Sequence, residues 1–212
     1  MQLLNELKKN INNSNNSIIL IDNPNPTDEL LDILKITDRS TLGTRIKYTN
    51  GILIKNKFIR LFGSEESEWT DSIKKWNNFP EQEKKAHIPS ACVIFGYDLL
   101  GGFFAINGGA FGQELGKVFY FAPDTLNWEN LDMGHSDFIS WCISGNVDKF
   151  YESFMWVNSQ EMINRTKKAQ GISIYPFLWS IEGKDMNNNS KKIVPLKEIW
   201  DINQEMKEKI NA

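Results

Sequence analysis

Hydrophobic and polar positions change their period several times along the chain. Leu3, Leu4 and Leu7 recur at helical spacing and predict a short helix over 2–10. The asparagine- and serine-rich run 12–16 suits a loop, because these side chains compete for backbone hydrogen bonds. An aliphatic run over 18–21 has the length of a strand and ends at Asn23-Pro24-Asn25-Pro26. Thr27 or Asp28 then caps a helix with Leu30, Leu31 and Leu34 on its apolar face and Ile33 beside it. From Thr44 to Phe62 the pattern becomes strand-like. Residues 45–48 alternate, Thr49-Asn50-Gly51 supplies a hairpin turn, and 52–54 and 58–62 complete a three-strand meander around Lys55-Asn56-Lys57. Trp69, Ile73 and Trp76 share one face of a helical turn or two, while 64–68 and 81–85 are charged surface.

Seven of the fourteen glycines fall between Gly96 and Gly116, where they separate the apolar runs 91–95, 103–106 and 118–121. That punctuation predicts three adjacent, mainly antiparallel strands joined by tight turns. Pro123-Asp124-Thr125 turns the chain into 126–131. Beyond 134 the period becomes helical. Ser136 caps a segment bearing Phe138, Trp141 and Cys142 that Gly145 ends. Asn146 starts a second helix with Val147, Phe150, Tyr151 and Phe154 as its stripe, and Asn158 or Ser159 caps a third with Met162 and Ile163. Residues 172–175 form a strand running into Pro176, 187–192 form an exposed loop, and Pro195 opens a final helix with Leu196, Ile199, Ile202 and Met206. With no repeat and no linker, the 212 residues predict one α+β domain: a mainly antiparallel, twisted sheet of about six strands flanked by helices.

Composition narrows the class without supplying chemistry. The chain is 41% hydrophobic and 24% charged, which excludes global disorder, and its seven Trp and thirteen Phe are enough to fill a substantial core. A formal net charge of -3 calls for neither nucleic acid nor an anionic membrane. The N-terminus lacks the basic start and apolar stretch of a secretory signal, and no apolar run approaches membrane-spanning length. Two cysteines are too few for a disulfide framework, so the expected location is the reduced cytoplasm, where Asn-x-Ser/Thr triplets such as the one at Asn12 carry no glycan.

The candidate chemistry is sparse. Gly108-Gly109-Ala110-Phe111-Gly112 lacks the Gly-Lys-Ser/Thr ending of a phosphate loop, and it precedes a strand where a dinucleotide fingerprint would open a helix. A backbone cradle for a ligand around Asn107, Gly108 and Gly109, with Glu114 or His135, stands against the plainer alternative of turns and close strand packing. Cys92 and Cys142 lie in apolar runs and read as small buried hydrophobes, not as nucleophiles. His87 falls in a surface segment and His135 in a turn before a helix, where a capping role outweighs catalysis. Metal binding needs converging ligands, and the two histidines lie 48 positions apart with no paired cysteines, so neither metal nor cofactor is expected. The aromatic residues of 128–156 sit among Asp124, Glu129, Asp132, Asp137, Asp148 and Glu152, without the basic groove of a base-stacking platform. Core packing explains them better.

Two longer runs carry a family likeness. The segment 100–109, Leu-Gly-Gly-Phe-Phe-Ala-Ile-Asn-Gly-Gly, and the segment 118–129, from Val118 to Glu129, resemble a bacterial family of unknown function, DUF2625. Ser40-Thr41-Leu42-Gly43, Gly145 with Phe150-Tyr151, Tyr175-Pro176-Phe177-Leu178-Trp179, and Val194-Pro195 with Glu198 fit the same pattern. The Asn-rich loops and 69–85 depart from it. The resemblance implies a one-domain bacterial protein and brings no activity with it. The Asn-Gly-Gly turn, a strand pair and the helix start at Ser136 and Phe138 are also similar to the SUKH superfamily, which implies an α+β binding module of the toxin-immunity kind. Neither likeness implies a catalytic residue. The expected function is therefore a non-catalytic module with a protein partner. Its alternative is a small-ligand protein or enzyme using the turn 107–112, and the oligomeric state stays open.

Overall fold

In the computed structural model the described residues are 2–77 and 87–210, so the charged segment expected at 81–85 lies outside them. The protein is α+β. Seven strands follow one another in chain order across one sheet: β1 (Ile18–Asp22), β2 (Thr49–Ile54), β3 (Ile59–Phe62), β4 (Cys92–Asp98), β5 (Phe103–Asn107), β6 (Lys117–Ala122) and β7 (Asn127–Gly134). Every neighbouring pair is antiparallel. A second, two-stranded antiparallel sheet joins β8 (Gln170–Tyr175) to β9 (Ser190–Pro195). The helices are α1 (Gln2–Asn12), α2 (Glu29–Leu34), α3 (Thr41–Tyr48), α4 (Ile73–Asn77), α5 (His135–Ser144), α6 (Val147–Phe150), α7 (Ser159–Arg165) and α8 (Leu196–Ile210).

Side chains alternate across a strand, and here both sides are covered. On one side Phe95 and Phe104 meet Phe138 of α5 at centroid distances of 5.3 and 4.9 Å, and Tyr120 meets Phe150 of α6 at 5.5 Å. On the other, Phe103 and Phe121 meet Trp200 of α8 at 4.7 and 5.3 Å, and Phe62 stacks on Trp76 of α4 at 5.9 Å. Double coverage explains why β4, β5 and β6 are continuous apolar runs, a pattern more usual for parallel sheets. Most buried apolar residues of both sheets belong to one contiguous cluster. Trp128, Trp141, Phe150, Phe154 and Trp156 pack against that cluster, as core packing requires.

The α+β class and the mainly antiparallel sheet of about six strands are borne out, the main sheet having seven. Several local expectations need correction. Residues 45–48 belong to α3, which Ser40 caps by accepting from Gly43 N at 3.0 Å. Arg45 and Ile46 are both fully buried, which adjacent positions of a strand with one solvated face would not be. The hairpin turn is not Asn50-Gly51 but Lys55-Asn56-Lys57, all three left-handed at φ 51, 52 and 74°. Gly51 lies inside β2 at φ 132°, where a Cβ would meet Thr70 and the Leu61 carbonyl at 2.7–2.8 Å. Residues 190–192 are the start of β9, pairing with Tyr175, Ile174 and Ser173, and not an exposed loop. Finally, α5 begins after Gly134, whose amide donates to Asp137 Oδ2 at 3.3 Å, while the Ser136 hydroxyl donates to Thr41 Oγ1 at 3.0 Å.

Candidate interaction surface

The glycine-rich loop between β5 and β6 is organised by Asn107. Its Oδ1 accepts from the amides of Gly109 (2.8 Å) and Phe111 (3.1 Å), and its Nδ2 donates to the carbonyls of Gly112 (3.2 Å) and Glu114 (3.0 Å). All four contacts of a buried amide are thus spent on folding the loop. Gly108, Gly109 and Glu114 are exposed on it, and Glu114 Oε2 accepts from Asn130 Nδ2 at 3.0 Å. His135 does not join them. Its ring turns into the protein between Phe95 and Arg45.

The Arg45–His135 contact is unusual because the guanidinium is fully buried with no carboxylate bonded to it. Arg45 Nε donates to His135 Nε2 at 3.2 Å, and Nη1 donates to the Phe62 carbonyl. Nη2 of Arg45 and Nδ1 of His135 have no hydrogen-bond partner among the described residues. Burial pulls the arginine down to about 9, and burial together with Arg45 holds His135 well below its ordinary 6.5. The imidazole is therefore a neutral acceptor that stays neutral in the folded state. An unfolded chain takes up a proton on this side chain near pH 6.5, so the stability tied to the neutral ring is complete above that pH and declines below it. The unfolding free energy from denaturant titrations should fall from about pH 7 to about pH 5.5, by up to about 1.4 kcal/mol per pH unit. His135→Gln, which keeps an acceptor for Arg45 but does not titrate, should flatten this slope. An unchanged slope in the variant would assign it elsewhere.

Other reactive side chains are occupied or enclosed. Burial pushes the Cys92 thiol up to about 12 and raises Cys142 further, so neither offers a thiolate near neutrality. His87 Nδ1 contacts Glu208 Oε1 at 3.1 Å on the surface. Asp98, buried at the end of β4, accepts from the amides of Leu100 (2.9 Å) and Gly102 (3.1 Å) through Oδ1, and from the hydroxyls of Tyr120 (2.7 Å) and Tyr151 (3.0 Å) through Oδ2. Burial pushes this carboxyl above its usual range and the four donors offset part of the rise. Gly102 is packed into the same network: a Cβ there would stand 2.2 Å from Asp98 Oδ2 and 2.3 Å from the Tyr120 hydroxyl. The Gly101-Gly102 pair thus serves packing and turning. Among the described residues, no three His, Cys, Asp or Glu side chains converge as a metal ion would need.

A cavity of about 620 Å³ lies between the end of α1 and the end of α5. Its lining is Asn10, Asn13, Asn15, Asn16 and Asn146 with serines and Ile143, and it holds no titratable side chain. Asn16 Nδ2 and Ser14 Oγ are already used to cap carbonyls at the end of α5. This notch has neither a proton acceptor nor a charge to orient one.

Exposed apolar surface is concentrated elsewhere. Ile181, Val157 and Tyr175 are 86%, 73% and 65% exposed. Tyr175, Phe177 and Trp179 form a ladder, with Phe177 edge-on to Tyr175 at 5.7 Å and stacked on Trp179 at 5.0 Å. The ladder is held rigidly from below. Ser180 Oγ donates to the Phe177 carbonyl (2.8 Å) and accepts from Gly183 N (3.0 Å), and Asn189 Nδ2 donates to the Gly183 carbonyl (2.6 Å). Val157 is tied to the same region through its amide, which donates to Asn187 Oδ1 at 3.1 Å. Lys191 lies over the Trp156 ring at 5.3 Å. The sequence reading missed this surface. Its one available signal was Ile181, a large aliphatic residue directly before the charged run 182–185.

Comparisons with known proteins agree with the likeness seen in the glycine-rich strands. The family described as protein of unknown function DUF2625 matches residues 2–199. The putative uncharacterized protein YbfG of Escherichia coli K12 is 33% identical over 195 residues, covering 92% of this chain and 87% of the relative. An uncharacterized protein of Haemophilus influenzae Rd is 27% identical over 172 residues, covering 81% of this chain and 72% of the relative. No solved structure matches the chain. Among the described residues, no helix is long and apolar enough to cross a membrane.

Proposed function

The chain belongs to the DUF2625 family, and from that premise we propose that it is a non-catalytic module that binds another protein through the surface formed by Val157, Tyr175, Phe177, Trp179 and Ile181. The observation that carries this reading is the aromatic ladder of Tyr175, Phe177 and Trp179, on which Tyr175 is exposed and which the exposed Ile181 follows two residues along the chain. Single exposed hydrophobes need no explanation, but an exposed tyrosine on a ladder of packed rings offers a ready anchor for a partner. Aromatic anchors that are rigid before binding lose little conformational freedom on contact, which favours affinity. The Asn107 loop supports the same reading indirectly, since its polar groups are engaged with one another. Nothing in the fold or among the relatives supports the SUKH likeness, so the partner stays a protein and is not narrowed to a toxin.

Photo-cross-linking in the native host tests the proposal. A photoreactive phenylalanine analogue at position 175 or 181 is expected to yield a discrete higher-mass adduct. The same analogue at position 115, an exposed leucine on the glycine-rich loop, is expected to yield none. Adducts from 115 alone, or from no position, would overturn the assignment of the surface.

A further inference from the structure

The seven-stranded sheet ends on two edges, β1 and β7, each paired with one neighbour only. The two edges are treated differently. Along β7, peptide groups are taken up by side chains: Asp132 N donates to Asn130 Oδ1 (2.8 Å), Lys117 Nζ donates to the Asp132 carbonyl (3.0 Å), and Gly134 N donates to Asp137 Oδ2 (3.3 Å). Asp132 also takes a left-handed φ of 56°, which interrupts the extended edge, and Glu129 and Asp132 place exposed charge on it. These are the usual protections of an edge strand. On β1 they are confined to its last position, where Asp22 carries a charge and the register with β2 shifts. The run Ile18-Ile19-Leu20-Ile21 has no charge, glycine or proline. Among the described residues, no side chain and no peptide group outside the β1–β2 ladder hydrogen-bonds the backbone from Ile18 to Asp22. Ile19 is 46% exposed.

We propose that β1 is a pairing edge for a second copy of this chain. The two β1 strands run antiparallel about a two-fold axis and join two seven-stranded sheets into one. The edge is self-complementary, as an isologous interface requires. Opposed residues in an antiparallel pair share a face, so a register centred on Ile19 sets Ile19 against Ile19 of the second copy and Ile18 against Leu20 of the second copy. Apolar side chains then meet apolar ones at each of these positions. Asp22 lies past the register shift at the end of β1, outside these paired positions, and its charge is met within its own chain by Lys8 Nζ at 2.7 Å. No like charges oppose one another. The free peptide groups of β1 gain the hydrogen bonds that the β7 edge obtains from its own side chains. None of the residues of the Tyr175 surface takes part, so the two proposals stand or fall separately.

Sedimentation over a dilution series tests the pairing, with hydrogen exchange read on the same samples. The wild-type chain is expected to sediment at twice the chain mass when concentrated and at the chain mass when dilute, and amides within 18–22 are expected to exchange more slowly as concentration rises. Ile19→Lys, at an exposed position, should halve the mass at high concentration while leaving the circular dichroism spectrum and melting temperature unchanged. Leu115→Lys should leave the dimer intact. A wild-type chain that stays monomeric at the highest concentration overturns the proposal. So does a dimer that survives Ile19→Lys, or one lost equally in Leu115→Lys.

Discussion

Replacing Asp98 with alanine is expected to lower the unfolding free energy by about 4–5 kcal/mol, among the largest effects open to a single substitution. The reason is geometric. The carboxylate is the acceptor for two amides and two tyrosine hydroxyls, all within 2.7–3.1 Å, in a site with no measurable exposure. Alanine strands four buried donors, each of which costs about 1–3 kcal/mol when left unpaired, less whatever water can enter. Tyr120 belongs to β6 and Tyr151 follows α6, so the same residue ties the 98–102 turn to two further elements. Asp98→Asn keeps an oxygen for both amides and should cost less than half as much. Urea denaturation followed by circular dichroism measures both. A loss below about 1 kcal/mol for Asp98→Ala would show that the network is not needed to hold the turn.

The second large effect concerns the two buried arginines, which should respond in opposite ways to the same change. Arg60 on β3 donates to the carbonyls of Lys57 (3.2 Å), Trp69 (3.2 Å), Lys167 (2.8 Å) and Thr166 (2.7 Å). It is the common partner of four carbonyls on three backbone segments, and Arg60→Met should destabilise by about 3–5 kcal/mol by stranding their oxygens. Among the described residues, Arg45 donates to one carbonyl and one imidazole, and no carboxylate offsets its charge. Methionine of similar length removes that desolvation cost along with two bonds, so Arg45→Met should lie within about 1 kcal/mol of the wild type. The pair of denaturation midpoints is the readout. Equal losses at both sites would mean that burial of the side chain, and not the carbonyl partners, sets the effect.

These residues also show what could be read before the fold was known. The strands β4, β5 and β6 were legible because double coverage makes every position apolar and because glycine turns separate the runs. α8 was legible from its stripe of Leu196, Ile199, Ile202 and Met206. The error at 45–48 arose because four residues cannot distinguish a period of two from one of 3.6, and the buried charge of Arg45 imitated a polar, outward position. β9 was missed because Ser190 and Lys192 are exposed and Lys191 half-buried, so its start resembles a loop. Asp98, within Tyr97-Asp98-Leu99-Leu100, and Arg60, within 58–62, carried a common signal: a lone charge inside an apolar run, which folding must either expose or satisfy. The Tyr175 surface had no such mark. Its side chains are as apolar as those of the core, and only tertiary packing decides which remain outside.

The enclosed thiols of Cys92 and Cys142 and the mutual hydrogen bonding of the Asn107 loop place the weight of the functional proposal on the Tyr175 surface. Parallel capture from host extract measures it most directly, using the immobilised wild-type chain, Tyr175→Asp/Ile181→Asp and Leu115→Asp. All three positions are exposed, so the three forms should melt together. The account predicts a specific protein retained equally by the wild type and Leu115→Asp, and reduced at least about tenfold on the Tyr175→Asp/Ile181→Asp form. Retention of that protein by all three forms alike, or of none by the wild type, would contradict it.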